Sequence, residues 1–324
     1  MITRRFFLEC LTAAAASALP LPALARLSAS EPVTETRLMM GTFVTIKISG
    51  VSRGQAADAA GRAFERMAEL EGVLTRFDSA SPLGELNRAG SLRDAPPALM
   101  TVMRAAARMH SLTAGAFDPT ILPLLERLEE QPAGLTAREF AEYREHMGMD
   151  RVTLGEKGLH CARSGMKLSL DGIAKGYIAD EGARLLHEEG VHNFLINAGG
   201  DLVASGGKDG TPWRVAVENP EKYRGRTAFP AVLNLSGQAL ATSGGYENVL
   251  GKGQGLNHIL NPATGVCSTL PSASVLAPSA LQADALATAL CVLPQPLAFA
   301  ETLPQAACLL VLPDGSTRRS SRWS

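Results

Sequence analysis

The run SLDGIAKGYIAD, Ser169 to Asp180, narrows the folds open to this chain more than any other stretch. Met166, Leu168 and Leu170 alternate like a strand leading into it, and Gly172 and Gly176 punctuate a turn into a helix predicted over Ile173–Glu189. A strand feeding a helix through such a turn gathers free backbone N–H groups at the positive end of the helix dipole. A phosphate is the natural occupant of that point, and Lys175 brings a mobile cation to it. Tight packing alone produces the same pattern, so the rest of the chain has to decide between them.

Periodicity organises the remainder. Strands are predicted at Leu38–Ile48, Arg151–Leu154, Gly158–Cys161, Met166–Leu170, His192–Asn197, Trp213–Val217, Ala231–Leu235, Ala239–Thr242, Leu256–Leu260, Ser272–Leu276 and Ala307–Leu312. Helices are predicted over Arg53–Leu74, from Pro96 or Pro97 to Leu112, from the capping box Thr136–Glu139 to Met147, and from a second box, Ser279–Gln282, to Val292. Arg76–Gly90 reads as a turn-rich loop. Strands and helices mix without strict alternation, so the fold class is α+β rather than doubly wound.

The first residues read as an address. Arg4-Arg5 precedes an alanine-rich apolar run from Leu11 to Leu24 that ends in Ala23-Leu24-Ala25, the pattern of a twin-arginine export signal at 1–25. The run is too short for a membrane span and is broken by Pro20 and Pro22. The expectation is a domain over 26–324, exported to the periplasm. A net charge of −1 with no long basic run argues against nucleic acid as a partner. Cys161, Cys267, Cys291 and Cys308 form no C-x-x-C pair, so buried free thiols are expected, although an oxidising compartment allows a disulfide.

Three groups of residues could carry chemistry. Asp284 and Thr288, at i and i+4 among small apolar residues, share one helix face. With a backbone carbonyl from elsewhere they would suit Mg²⁺, which takes oxygen ligands and keeps waters or phosphate oxygens. The plainer reading has Asp284 answering the helix dipole and Thr288 bonding its own backbone. His258, at a strand end before the turn Asn261-Pro262, is a candidate general acid or base or a structural histidine. Asn197-Ala-Gly-Gly-Asp201 and Thr242-Ser-Gly-Gly-Tyr246 end strands in glycine pairs, which admit a ligand close to the backbone or simply turn a hairpin.

Taken in order, Met40-Gly41-Thr42, Phe77 through Asn87, Gly115-Ala-Phe-Asp-Pro119, Gly172-Ile-Ala-Lys-Gly-Tyr177 with Asp180, Asn197-x-Gly-Gly-Asp201, Thr242-Ser-Gly244, His258-Ile-x-x-Pro-x-Thr-Gly265 and Asp284-Ala-Leu-Ala-Thr288 resemble the ApbE family, the FAD-dependent FMN transferases. The resemblance spans Met39 to Leu290. It implies mixed sheets with packed helices around a central FAD cleft. The implied reaction is Mg²⁺-dependent transfer of FMN from FAD to a Ser or Thr hydroxyl of a target flavoprotein, with release of AMP. Carried onto this chain, Met40, Phe77, Ala116, Phe117, Asp118 and Lys175 would contact FAD. Asp284, Thr288 and the Gly172 carbonyl would bind the metal, and His258 would stand near the reacting phosphate.

The implied partner is a periplasm-facing flavin-accepting protein, such as a subunit of a membrane respiratory complex. Three positions depart from the family pattern. Ser169 stands where members usually have Asp, Asp171 where they have Gly, and Asn261 where they have Asp. Asp171 lies two places along from Ser169, on the same face of a strand, and is the candidate replacement toward FAD. These departures keep two other readings in view: an FAD-binding maturation factor without transferase activity, and an FAD pyrophosphatase in which water replaces the acceptor hydroxyl.

Overall fold

The computed structural model describes residues 31–221, 228–250 and 256–323, and Pro32–Ser324 forms one compact unit. The proposed export signal lies outside the described residues. The chain opens with a hairpin, β1 (Val33–Met39) and β2 (Thr42–Ser49), in which Met39 pairs with Thr42. The sequence predicts one strand across this region. The structure turns it at Met40-Gly41, with φ of 52° and 70°, the left-handed pair that a two-residue hairpin turn requires. Methionine is unusual there, which is why the turn was not legible.

Helix α1 (Arg53–Leu74) starts at its cap Ser52 and buries the stripe Ala56, Ala60, Ala63, Phe64, Met67 and Leu70. The predicted loop after it contains a further helix, α2 (Pro82–Ala89), capped by Ser81 and stopped by Gly90 at a φ of 70°. Strand β3 (Ser91–Leu92) and helix α3 (Pro97–Leu112) follow. Helix α4 (Leu122–Glu130), which the sequence pattern does not predict, precedes α5 (Ala137–Arg144), which carries the predicted capping box at Thr136 and Glu139. Strands β4 (Val152–Leu154) and β5 (Leu159–Cys161) complete a small sheet with β3.

Met166–Leu170 is extended but pairs with no strand. Its pairing comes instead from the Asn87 side-chain amide, which accepts from the N–H of Leu168 at 2.7 Å and donates to its carbonyl at 2.9 Å. Met166, Leu168 and Leu170 are buried all the same, so the alternation reports burial and not a ladder. Helix α6 (Ala174–Glu188) then begins within one residue of the prediction.

The second half supplies most of the sheet. Strands β6 (Asn193–Ala198) and β7 (Asp201–Ser205) form a hairpin through Gly199-Gly200. Strands β8 (Gly207–Lys208), β9 (Thr211–Val217) and β10 (Ala231–Leu235) make a separate three-stranded sheet. β11 (Gln238–Ser243) returns to the main sheet, and β12 (Val249–Leu250) pairs with β13 (Leu256–Asn257), where the sequence predicts a longer strand. β14 (Ser272–Ala277), α7 (Ala280–Leu290), α8 (Pro296–Glu301), β15 (Ala307–Val311) and β16 (Thr317–Arg319) close the chain.

The main sheet runs β1-β2-β6-β7-β11-β14-β15-β16, antiparallel throughout. Its strands alternate between two dry faces. Phe194, Ile196, Ala239, Ala241, Ala273, Val275, Cys308 and Leu310 join the core under α1, α6 and α7. Leu195, Leu240, Leu276, Leu309 and Val311 join a second core with Trp213, Val215 and Leu233 from the small sheet. The α+β class with mixed sheets and packed helices is therefore the observed one. All four described cysteines are free thiols. Among the described residues no helix is long and apolar enough to cross a membrane.

Candidate active site

The first turns of α6 and α7 meet without room for a side chain between them. A Cβ on Gly176 would fall 2.2 Å from the carbonyl oxygen of Ala280. Each helix then lends the other a carboxylate. Asp180 of α6 accepts from the N–H groups of Ala280 and Leu281 at 2.8 and 2.9 Å, filling the open donors at the start of α7. Asp284 of α7 accepts from the N–H of Gly176 at 3.1 Å. Burial pushes the Asp180 carboxyl up to about 6, against the two N–H bonds that hold it down. Burial pushes Asp284 up to about 8, and the nearby charge of Asp201 pushes it further.

Beside them Lys175 Nζ lies 3.0 Å from Asp201 Oδ2. Burial alone would lower the Lys175 pKa, but Asp201 first, and then Asp284 and Glu247, raise it above its ordinary value, so the ammonium stays charged. Asp201 follows the tight turn Gly199-Gly200, where both residues have positive φ and where a Cβ on Gly199 would strike Thr42 at 2.6 Å. This glycine pair is a hairpin corner, and its function is to aim Asp201 inward.

Thr288 does not bond its own helix. Its hydroxyl is 3.2 Å from that of Ser243 at the end of β11. A Cβ on Gly172 would come within 2.8 Å of Thr288 Oγ1. The structure therefore brings Gly172, Lys175, Asp284 and Thr288 together from one turn and two helices. A carboxylate, a hydroxyl and the backbone of a residue that must lack a side chain form a hard, all-oxygen donor set, and it fits Mg²⁺. Among the described residues no group of three His, Cys, Asp or Glu side chains could hold a metal, so a soft-metal site is not the competing reading there.

His258 lies within electrostatic reach of Lys175, Asp171 and Arg76. Burial lowers its pKa, Lys175 and Arg76 lower it further, and the Asn248 carbonyl and Asp171 partly oppose them. Its Nδ1 is 3.3 Å from the carbonyl oxygen of Asn248. A carbonyl only accepts, so Nδ1 carries the proton and Nε2 presents a lone pair. Asn261, three residues on, is fully occupied with local structure. It accepts from Ala263 N–H at 2.9 Å and donates to the Val292 carbonyl at 3.1 Å.

The other sequence candidates surround the cluster in different ways. Met40 holds the hairpin corner and donates its N–H to Glu71 at 2.7 Å. Phe77 is 76% exposed, with the Arg76 guanidinium 4.2 Å from its ring centroid. Ala116 is half-buried, and the Phe117 ring sits in the core. Asp118 accepts from the backbone and hydroxyl of Thr120 at 2.8 and 2.6 Å. Both bonds fall on Asp118 Oδ1, while its Oδ2 lies 3.7 Å from His110 Nδ1. Asp171 pairs with Arg76 at 2.7 Å, and the Ser169 hydroxyl accepts from the Asp171 N–H at 3.1 Å. A cavity of about 310 Å³, lined by Asn197, Arg214, Thr242, Tyr246 and Glu247 among others, opens on the other side of the β6–β7 corner.

Residues 40–310 match the ApbE family. The chain belongs to the ApbE family. A protein of Escherichia coli K12 named FAD:protein FMN transferase is 30% identical over 84% of this chain and 81% of its own length. A protein of the same name from Klebsiella pneumoniae is 29% identical over 78% of this chain and 76% of its own. Among solved structures, an ApbE protein of Thermotoga maritima superposes with a TM-score of 0.81 at 28% identity, covering 90% of this chain and 97% of that one. The apo flavinyl transferase ApbE of Pseudomonas stutzeri gives 0.79 at 27% identity, covering 90% and 95%.

Three site residues are not legible from the sequence. Arg76 and Glu247 carry no local signal, and their roles exist only across the fold. Asp201 ends the Asn197-x-Gly-Gly motif, but its partner Lys175 lies on another element, so its role as counter-charge was not readable.

Proposed function

We propose that the chain transfers FMN from FAD to a Ser or Thr hydroxyl of a target protein, releasing AMP. The observation that carries this reading is the meeting of Gly172, Asp284 and Thr288 beside a half-buried, charged Lys175. Asp284, Thr288 Oγ1 and the Gly172 carbonyl would hold Mg²⁺, which when bound supplies neutralisation of the pyrophosphate charge. Lys175, fixed by Asp201, adds a second positive charge at the phosphates. His258 Nε2 takes the proton from the acceptor hydroxyl as its oxygen forms the new P–O bond. The anhydride P–O bond breaks, and AMP leaves as the anion. Met40, Phe77 and the segment Ala116-Phe117-Asp118 would frame the FAD.

The acceptor we infer is a periplasm-facing flavoprotein, such as a subunit of a membrane respiratory complex, reached after export by the Arg4-Arg5 signal. Purified protein incubated with FAD, Mg²⁺ and such an acceptor is expected to give acceptor-bound FMN that survives denaturation, and chelation is expected to abolish it. FMN and AMP released equally fast without acceptor would replace this reading with a pyrophosphatase. His258→Gln is expected to slow transfer about a hundredfold. Because His258 is held below its ordinary pKa, wild-type transfer is expected to keep its rate as pH falls to 6.5 and to decline only beneath that.

A further inference from the structure

Phe77 presents its ring to solvent, yet the group beneath it is among the most tightly held on the molecule. The Arg76 side chain is 9% exposed, while the ring stacked on it is 76% exposed. Arg76 Nε donates to Asp171 Oδ2 at 2.7 Å, and its Nη2 donates to Glu129 Oε1 at 3.1 Å. The guanidinium therefore bridges three segments: the end of α1, the end of α4, and the turn that carries Gly172. Above the guanidinium lies the Phe77 ring, its centroid 4.2 Å from Cζ.

We infer that Arg76 is a positioning residue that clamps the exposed Phe77 ring in register with the Gly172 turn. An exposed aromatic ring ordinarily samples several rotamers. Packing against a guanidinium can fix the ring only if the guanidinium is itself immobile. Two carboxylates make it so. Lysine cannot replace it, because an ammonium has no plane to stack on and no fork to reach both carboxylates. Asp171 takes part as well, since its carboxylate fastens the clamp to the residue next to Gly172.

The inference rests on the reading of the site as an FAD cleft that Phe77 borders, and the tests separate the two. Arg76→Met is expected to raise KM for FAD about tenfold with kcat within about twofold. Arg76→Lys is expected to recover less than half of that loss. In a Phe77→Leu background Arg76→Met should add less than about twofold, because the ring it positions is gone. An equal Arg76→Met effect in both backgrounds overturns the inference and leaves a salt bridge of purely structural value. Asp171→Asn, whose side chain is 45% exposed, loosens the clamp from its other end without opening the core.

A second readout needs no FAD. The chain labelled with 4-fluorophenylalanine, with the Phe77 resonance assigned by its loss in Phe77→Leu, is expected to show that resonance displaced from the random-coil position. It should move to that position in both Arg76→Met and Asp171→Asn. An unmoved resonance overturns the clamp whatever the enzyme does. If the wild-type chain binds no FAD, the functional reading falls, and the fluorine spectrum still decides whether Arg76 holds the ring.

Discussion

Asp180 and Asp284 lie one helix apart and look alike on first inspection. Asp284 is buried and Asp180 half-buried, both face the joint between α6 and α7, and both have raised pKa values because desolvation penalises their charge. They differ in what compensates them. Asp180 accepts from two backbone N–H groups at the first turn of α7, which is what a helix start needs. Asp284 accepts from one; Asp201 and Glu247 add repulsion and Lys175 offsets part of it, while Asp180 meets repulsion from Glu181 and Asp201. A carboxylate kept in such a place answers to something besides the fold. On the proposed reading Asp180 closes a helix start and Asp284 holds the metal, and the two differ in how many N–H groups hold them and in how deeply they sit.

The contrast breaks or sharpens under substitution. The largest effect is expected for Asp284→Asn, which should cut FMN transfer about a thousandfold while leaving the melting temperature unchanged or higher, since the amide keeps an acceptor for the Gly176 N–H and removes a carboxyl whose ionisation burial already opposes. A melting temperature that fell along with the activity would make Asp284 structural and erase the difference. Next comes Gly176→Ala, whose Cβ would meet the Ala280 carbonyl at 2.2 Å. Forcing the helices apart should cost about 3 kcal/mol in urea denaturation and damage both carboxylates together.

The smallest effect separates them by pH. Asp180 has its folded-state pKa raised from 3.8 to about 6, so the folded chain binds a proton there more tightly than the unfolded chain does. Its charge therefore costs stability above pH 6, and the cost is relieved as pH falls through 6 toward 4. Wild type should gain on the order of 2 kcal/mol relative to Asp180→Asn across that window, read from paired denaturation curves. FMN transfer at neutral pH should change little in Asp180→Asn.

How much of this was readable in the chain follows from the range of each interaction. The α6 helix, the Asp284–Thr288 pair and the position of Gly172 rest on spacing within a few residues, and spacing is what a sequence displays. The hairpin at Met40-Gly41 was missed because its first residue is an unlikely occupant of left-handed backbone. Helix α2 is hidden because the turn residues Phe77-Asp78-Ser79 run directly into its cap Ser81 and first residue Pro82. The partners of Lys175 and Arg76 come from other segments, so no local pattern could announce them.

The Asn87 amide carries a further consequence. A strand beside Met166–Leu170 would have zipped several residues into one register, and any shift would have had to break the whole ladder. One side chain grips Leu168 alone, the Pro119 carbonyl takes the N–H of Ser169 at 2.8 Å, and Arg76 takes Asp171. The segment is riveted at points instead of zipped along its length. The turn that carries Gly172 is closed on itself, because the Leu170 carbonyl accepts from the N–H groups of both Ile173 and Ala174 at 3.0 and 2.7 Å, so these few points set where the whole turn sits. Replacing Asn87 with Asp leaves an acceptor for the Leu168 N–H but no donor for its carbonyl, and removes one of the points that place the turn.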